Sequence, residues 1–168
     1  MVNLSQSMKR LNTEYFKNLV FGIEDSLVST VGVLFGLASS SDTSQKQMLL
    51  SGFIIISVEA LSMGAGAFLT ETSAHELDGR KLHRDSPLID GIVMFFSYFL
   101  TGFIPISAYF FVKNIEAAKY ISLIFSLIAL FILGYAPTRK LKSAIRMMIV
   151  ASMAASVGFI VAEIFKQI

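Results

Sequence analysis

Long apolar runs alternate with short polar breaks along the whole chain. Five apolar segments stand out, at residues 19–40, 48–70, 88–112, 115–136 and 144–165. Each is long enough to cross the hydrocarbon core of a bilayer, which takes about 20 helical residues. The intervening stretches, SSSDTSQKQ, HELDGRKLHRDSP, KNIE and PTRKLKS, carry turn or charge signals. Strands in lipid would need alternating polarity and a closed barrel, so helices are the spanning option. The pattern predicts an all-α integral membrane protein, a single membrane domain with five transmembrane helices. In the fourth span the uninterrupted apolar part begins only at Tyr120, so Lys119 is expected to snorkel toward the interface.

Composition sharpens this picture. Of the 168 residues, 54% are hydrophobic and only 15% charged, against about a quarter charged in a soluble domain. The chain has no cysteine, which excludes disulfides and thiolate metal sites. A net charge of +2, with the basic residues confined to short loops, does not suit nucleic acid. The polar start, MVNLSQSMKRLNTEYFKN, contains no apolar core of a cleavable signal peptide.

The basic residues also give a direction. Lys9, Arg10, Lys17, Arg80, Lys81, Arg84, Arg139, Lys140, Lys142 and Arg146 fall on one side of a five-span topology. Lys46, Lys113, Lys119 and Lys166 fall on the other. By the positive-inside rule, the N-terminus is expected to be cytoplasmic and the C-terminus external.

Carboxylates inside the membrane are expensive and are presumed functional. Asp25, Ser29, Gly32 and Gly36 recur at i, i+4, i+7 and i+11 on the first span, forming one helical stripe that is polar at its cytoplasmic end. Gly32 and Gly36 make a GxxxG pattern, which allows close helix approach and suits self-association or packing on any neighbouring helix. Glu59, Met63, Gly66 and Thr70 repeat the same spacing on the second span. The two spans run in opposite directions. At a rise of about 1.5 Å per residue, Glu59 then lies level with Ser29 and Thr30, and Asp25 and Met63 lie about a turn nearer the cytoplasm. One cavity is therefore expected to receive Asp25, Glu59 and Met63. Oxygen donors with one thioether suit a divalent transition metal better than magnesium or calcium, and a carboxylate can exchange the metal for a proton. A lone methionine in a membrane helix is more often packing. Structural pairing of the two acids lacks a partner, because no span carries a lysine or arginine at that depth.

Glu24 points about 100° away from Asp25 and ranks below it. Asp90 and Glu163 sit near span ends, where a solvated acid is the plainer reading. Beyond the second span, Glu71 and His75 stand at i and i+4, followed by Glu76. If the helix continues, these residues form a cluster able to collect metal from the cytoplasm, although such a pair is also common on helix surfaces.

GIEDSLVSTVGVLFGLASS and LSGFIIISVEALSMGAGAFLTETSAHE resemble the first two spans of the vacuolar iron transporter family. FFSYFLTGFIPISAYFF is similar to its third span and ASMAASVGFIVAEIF to its last, so the resemblance covers essentially the whole chain. It implies proton-coupled export of Fe²⁺, and often Mn²⁺, from the cytosol by a homodimer whose first spans line the path. The metal is cargo and no cofactor is implied. The host would be a plasma membrane in a prokaryote or a vacuolar membrane in a eukaryote. Asp25 in EDSLV and Met63 in LSMGAG match the family's metal-path positions. Ser26 stands where the family usually has glycine, and Ala67 where it has glutamate; that Glu59, two turns earlier, supplies the missing carboxylate is an expectation from its place in the span and not part of the resemblance. The loop after the second span is too short for the glutamate-rich cytoplasmic domain that many members carry. Two other readings stay open: a different divalent cargo, and a non-transporting membrane partner packed through Gly32 and Gly36.

Overall fold

A computed structural model describes residues 4–40, 43–78 and 86–165. Arg80, Lys81, Arg84 and Lys166, which contribute to the charge asymmetry, lie outside the described residues. The described residues form six helices: α1 (Leu4–Ala38), α2 (Gln45–Asp78), α3 (Pro87–Thr101), α4 (Phe103–Phe111), α5 (Ile115–Tyr135) and α6 (Leu141–Phe165). Among them, five stretches are long and apolar enough to span a membrane, with α3 and α4 together making the third.

The helices outrun the apolar segments that announce them. The polar N-terminal stretch is already helical from Leu4, and α2 continues to Asp78, eight residues beyond the predicted end of its span. The third span is interrupted at Gly102. Pro105 lacks an N–H, so the turn at Thr101–Gly102 loses a bond of the regular ladder and the helix restarts as α4. Asn114 caps α5 by accepting from the Ala117 N–H at 3.1 Å, so α5 begins at Ile115.

α1 touches each of the other five helices and forms the centre of the bundle. Two crossings depend on glycines. A Cβ at Gly36 would lie 2.7 Å from the Gly158 carbonyl oxygen on α6, and one at Gly64 would lie 2.9 Å from the Gly91 carbonyl oxygen on α3. Backbones this close gain dispersion contacts that lipid-facing leucines do not supply, which is how helices associate where no hydrophobic effect separates protein from solvent. Large apolar side chains cover the outside, among them Leu61, Phe96, Leu100, Phe111 and Ile160. In water such a surface would mark an interface or drive aggregation; in a bilayer it faces chains as apolar as itself.

Two expectations are corrected. Lys119 does not snorkel: it is buried, with Nζ 3.2 Å from Ser39 Oγ and 2.9 Å from Glu116 Oε2. It also stands 5.2 Å from the ring centroids of both Phe35 and Tyr120. A counter-ion one turn away, two aromatic faces and the carbonyl end of α1 together replace the water that the ammonium gives up. Asp90 is likewise buried rather than solvated, accepting a hydrogen bond from Asn18 Nδ2 on α1.

Candidate functional site

Three helices converge on Glu59. Ser29 on α1 donates from Oγ to Glu59 Oε2 at 3.0 Å, so the two residues are level, in keeping with the depth count along antiparallel spans. From α3, the Tyr98 hydroxyl donates to the same Oε2 and also meets Ser29 Oγ. Asp25, one turn toward the cytoplasm on α1, is partly buried and within electrostatic reach of both Glu59 and Tyr98. Among the described residues neither carboxylate forms an ion pair with a lysine or arginine. Two carboxyl groups thus share a small region of the bundle without a lysine or arginine partner among the described residues. When both are ionised, their mutual repulsion and their poor solvation favour binding of a cation.

Local sequence explains the convergence. Ser26 Oγ donates to the Tyr98 carbonyl oxygen at 2.7 Å and ties α1 to α3 one turn before the break at Gly102. Gly102 has no side chain, so Ile56 of α2 packs directly on the α3–α4 joint. The polar cluster therefore lies where α1, α2 and α3 meet. Separate apolar groups flank it: Leu34, Ile56, Ile106 and Tyr109 in one, Leu27, Leu130 and Ala151 in the other.

Along α2, Glu59 and Met63 are partly buried, whereas Gly66 and Thr70 are exposed. Nothing lies within 4 Å of a Cβ built at Gly66, so the stripe passes from the interior to open surface. Glu24 faces another direction, lining a shallow depression with Phe16, Lys17 and Phe21, as the 100° offset from Asp25 requires. At the far end of α2 the helix does continue, and Glu71 and His75 pair at 3.1 Å. Glu76 is exposed and stands one residue further round the helix, which turns it away from the pair. Among the described residues no group of three or more His, Cys, Asp or Glu side chains is arranged to hold a metal ion. The expected collecting cluster of Glu71, His75 and Glu76 thus reduces to a two-residue pair, and Asp25 with Glu59 is also a pair.

The GxxxG stripe, expected to suit self-association or packing on any neighbouring helix, is met by α6 of its own chain. Gly32 faces Ala154 and Gly36 faces Gly158, with backbone against backbone. What remains open is an apolar groove along this crossing, whose rim includes Ser29, Val33, Val157 and Val161. Sequence reasoning missed Tyr98. Asp90, Met94, Ser97 and Tyr98 are the buried side-chain-bearing positions of α3 and fall on one helical face, so a stripe count over α3 would have singled out its one phenol.

The family model for the VIT family matches residues 16–85 and 71–163. A relative from Arabidopsis thaliana, "Vacuolar iron transporter homolog 2", is 31% identical over 78 residues, covering 46% of this chain and 39% of the relative. The chain thus aligns with about two fifths of that relative's length. Matches to the family model run from the first span through the last, and the chain belongs to the VIT family.

Proposed function

We propose that the protein exports a divalent transition metal, Fe²⁺ or Mn²⁺, from the cytosol in exchange for protons. The observation that carries this reading is the pair of intramembrane carboxylates, Asp25 and Glu59, without a lysine or arginine partner among the described residues. An acid that serves only structure in lipid is normally paired, and an unpaired one marks an ion path. Met63, one turn along α2, adds a soft donor at the open side of the same stripe, favouring a transition metal over Mg²⁺ or Ca²⁺. Family membership and the name of the Arabidopsis relative support the same cargo class.

In this mechanism the cation enters from the cytoplasmic end of α2, past the Glu71–His75 pair and Gly66. It is held by Asp25, Glu59 and Met63 and leaves toward the opposite face as protons neutralise the carboxylates. The charge asymmetry of the loops supports a cytoplasmic N-terminus. A second copy seats on the apolar groove between α1 and α6, bringing the two first spans side by side with Ser29 at the seam.

The test is flux into liposomes holding only the purified protein, with an imposed pH gradient and Fe²⁺, Mn²⁺, Co²⁺, Zn²⁺ or Mg²⁺ outside. Fe²⁺ or Mn²⁺ uptake that collapses with the gradient is expected, and Glu59→Gln is expected to abolish it while still inserting. Absence of flux for every metal, in protein shown to be folded, refutes transport.

A further inference from the structure

In the proposed site the ion is held by two carboxylates and a thioether, yet the side chain buried against Glu59 is a phenol. Tyr98 is fully buried, and a buried tyrosine hydroxyl normally has a defined partner. Its hydroxyl and that of Ser29 both donate to Oε2 of Glu59, and they also meet each other. Among the described residues, Oε1 accepts no hydrogen bond. The phenol is held from its other end as well, because the Tyr98 carbonyl accepts from Ser26 Oγ on α1 at 2.7 Å.

We propose that Tyr98 is a positioning residue for the transported cation: with Ser29 it holds Oε2 of Glu59 and so presents Oε1 as the metal ligand. The inference rests on reading Glu59 as a cargo ligand. A glutamate carboxylate on an otherwise apolar helix rotates about three side-chain bonds, and ordering it afresh for every ion lowers affinity. Two hydroxyls from two different helices remove that freedom before the ion arrives. Hydrogen bonds behind a ligand commonly act this way in metal sites, and losing one lowers metal affinity by about 10–100-fold. The same arrangement puts a neutral donor, not a cation, behind the carboxylate, so its charge remains available to the metal.

Tyr98→Phe keeps the ring and its packing and removes one oxygen. The probe is Mn²⁺. Initial rates of uptake into liposomes are measured against Mn²⁺ concentration, and binding to the detergent-solubilised full chain is followed by the loss of the free-ion paramagnetic resonance signal. The KM and the dissociation constant are both expected to rise about tenfold or more, with kcat within about twofold of wild type. A role in packing alone would leave KM and affinity where they are. Glu59→Gln is run in parallel. If it is inactive while Tyr98→Phe keeps wild-type KM and affinity, the role of Tyr98 is overturned and the reading of Glu59 stands. If Glu59→Gln transports normally, the reading beneath the inference falls. Should Tyr98→Phe not accumulate, Ser29→Ala tests the same hold from α1: a raised KM supports it and an unchanged KM overturns it.

Discussion

Replacing Gly36 by alanine tests whether the glycine stripe of the first span works inside the protomer. The added Cβ would stand 2.7 Å from the Gly158 carbonyl oxygen, 3.0 Å from its carbonyl carbon and 3.1 Å from its Cα. Every one of these neighbours is backbone, so no rotamer change relieves the contact. An ordinary Cβ contact begins near 3.4 Å, and α1 and α6 must therefore separate by about 0.7 Å at this crossing. A gap of that size forfeits roughly a quarter to a half of each affected contact, each worth about 0.1–0.2 kcal/mol. Summed over the crossing, this falls in the range of about 1–3 kcal/mol typical of an overpacked core. For a chain of this size the midpoint of thermal unfolding in detergent should fall by roughly 3–10 °C. Gly158→Ala should cost more, because its Cβ would stand 2.1 Å from the Gly32 carbonyl oxygen, and the double variant should lose less than the sum, because helices already separated accept the second methyl. The assay is thermal unfolding of purified protein, with chemical cross-linking of the same samples to read the oligomer. A midpoint unchanged from wild type, accompanied by loss of the cross-linked dimer, would refute the reasoning and put the stripe between copies instead.

Met63→Leu roughly conserves volume and should destabilise by less than about 1.5 kcal/mol, while selectivity in the liposome assay shifts away from Fe²⁺ and Mn²⁺ toward Mg²⁺ and Ca²⁺ as the soft donor is lost. Unchanged selectivity would make Met63 a packing residue. Replacing Glu71, His75 and Glu76 together by alanine should raise KM and leave kcat nearly constant, because the pair acts before the membrane step; complete loss of transport would place it within the core site. Cysteine labelling at both ends of this cysteine-free chain should find the N-terminus protected from an external reagent and the C-terminus accessible. Both ends on one side would contradict five crossings.

The first three spans show how far the sequence reaches and where it stops. A bilayer requires long apolar runs with internally satisfied backbones, so the number and order of the spans are written in the chain. Helical rise is constant, which is why counting residues from the membrane surface was enough to set Glu59 level with Ser29, a pairing then seen as a 3.0 Å hydrogen bond. Which face of a helix meets which neighbour is another matter. In water, burial separates apolar from polar faces and leaves a periodic trace. In lipid both faces are apolar, and the choice rests on backbone approach and a few hydroxyls. The Gly32 and Gly36 stripe declared a close contact without naming its partner, and only the packed bundle assigned it to Gly158 of α6. Lys119 looked obliged to reach for the interface because its partners are split between its own helix and the end of α1; folding brings Ser39 and Phe35 to it across some eighty residues of chain. Tyr98 passed as one more aromatic in a phenylalanine-rich span, since its meaning comes from a hydroxyl and a carboxylate on two other helices. Local spacing determines depth along a membrane helix, whereas the direction a side chain takes around it is decided by the helices packed alongside.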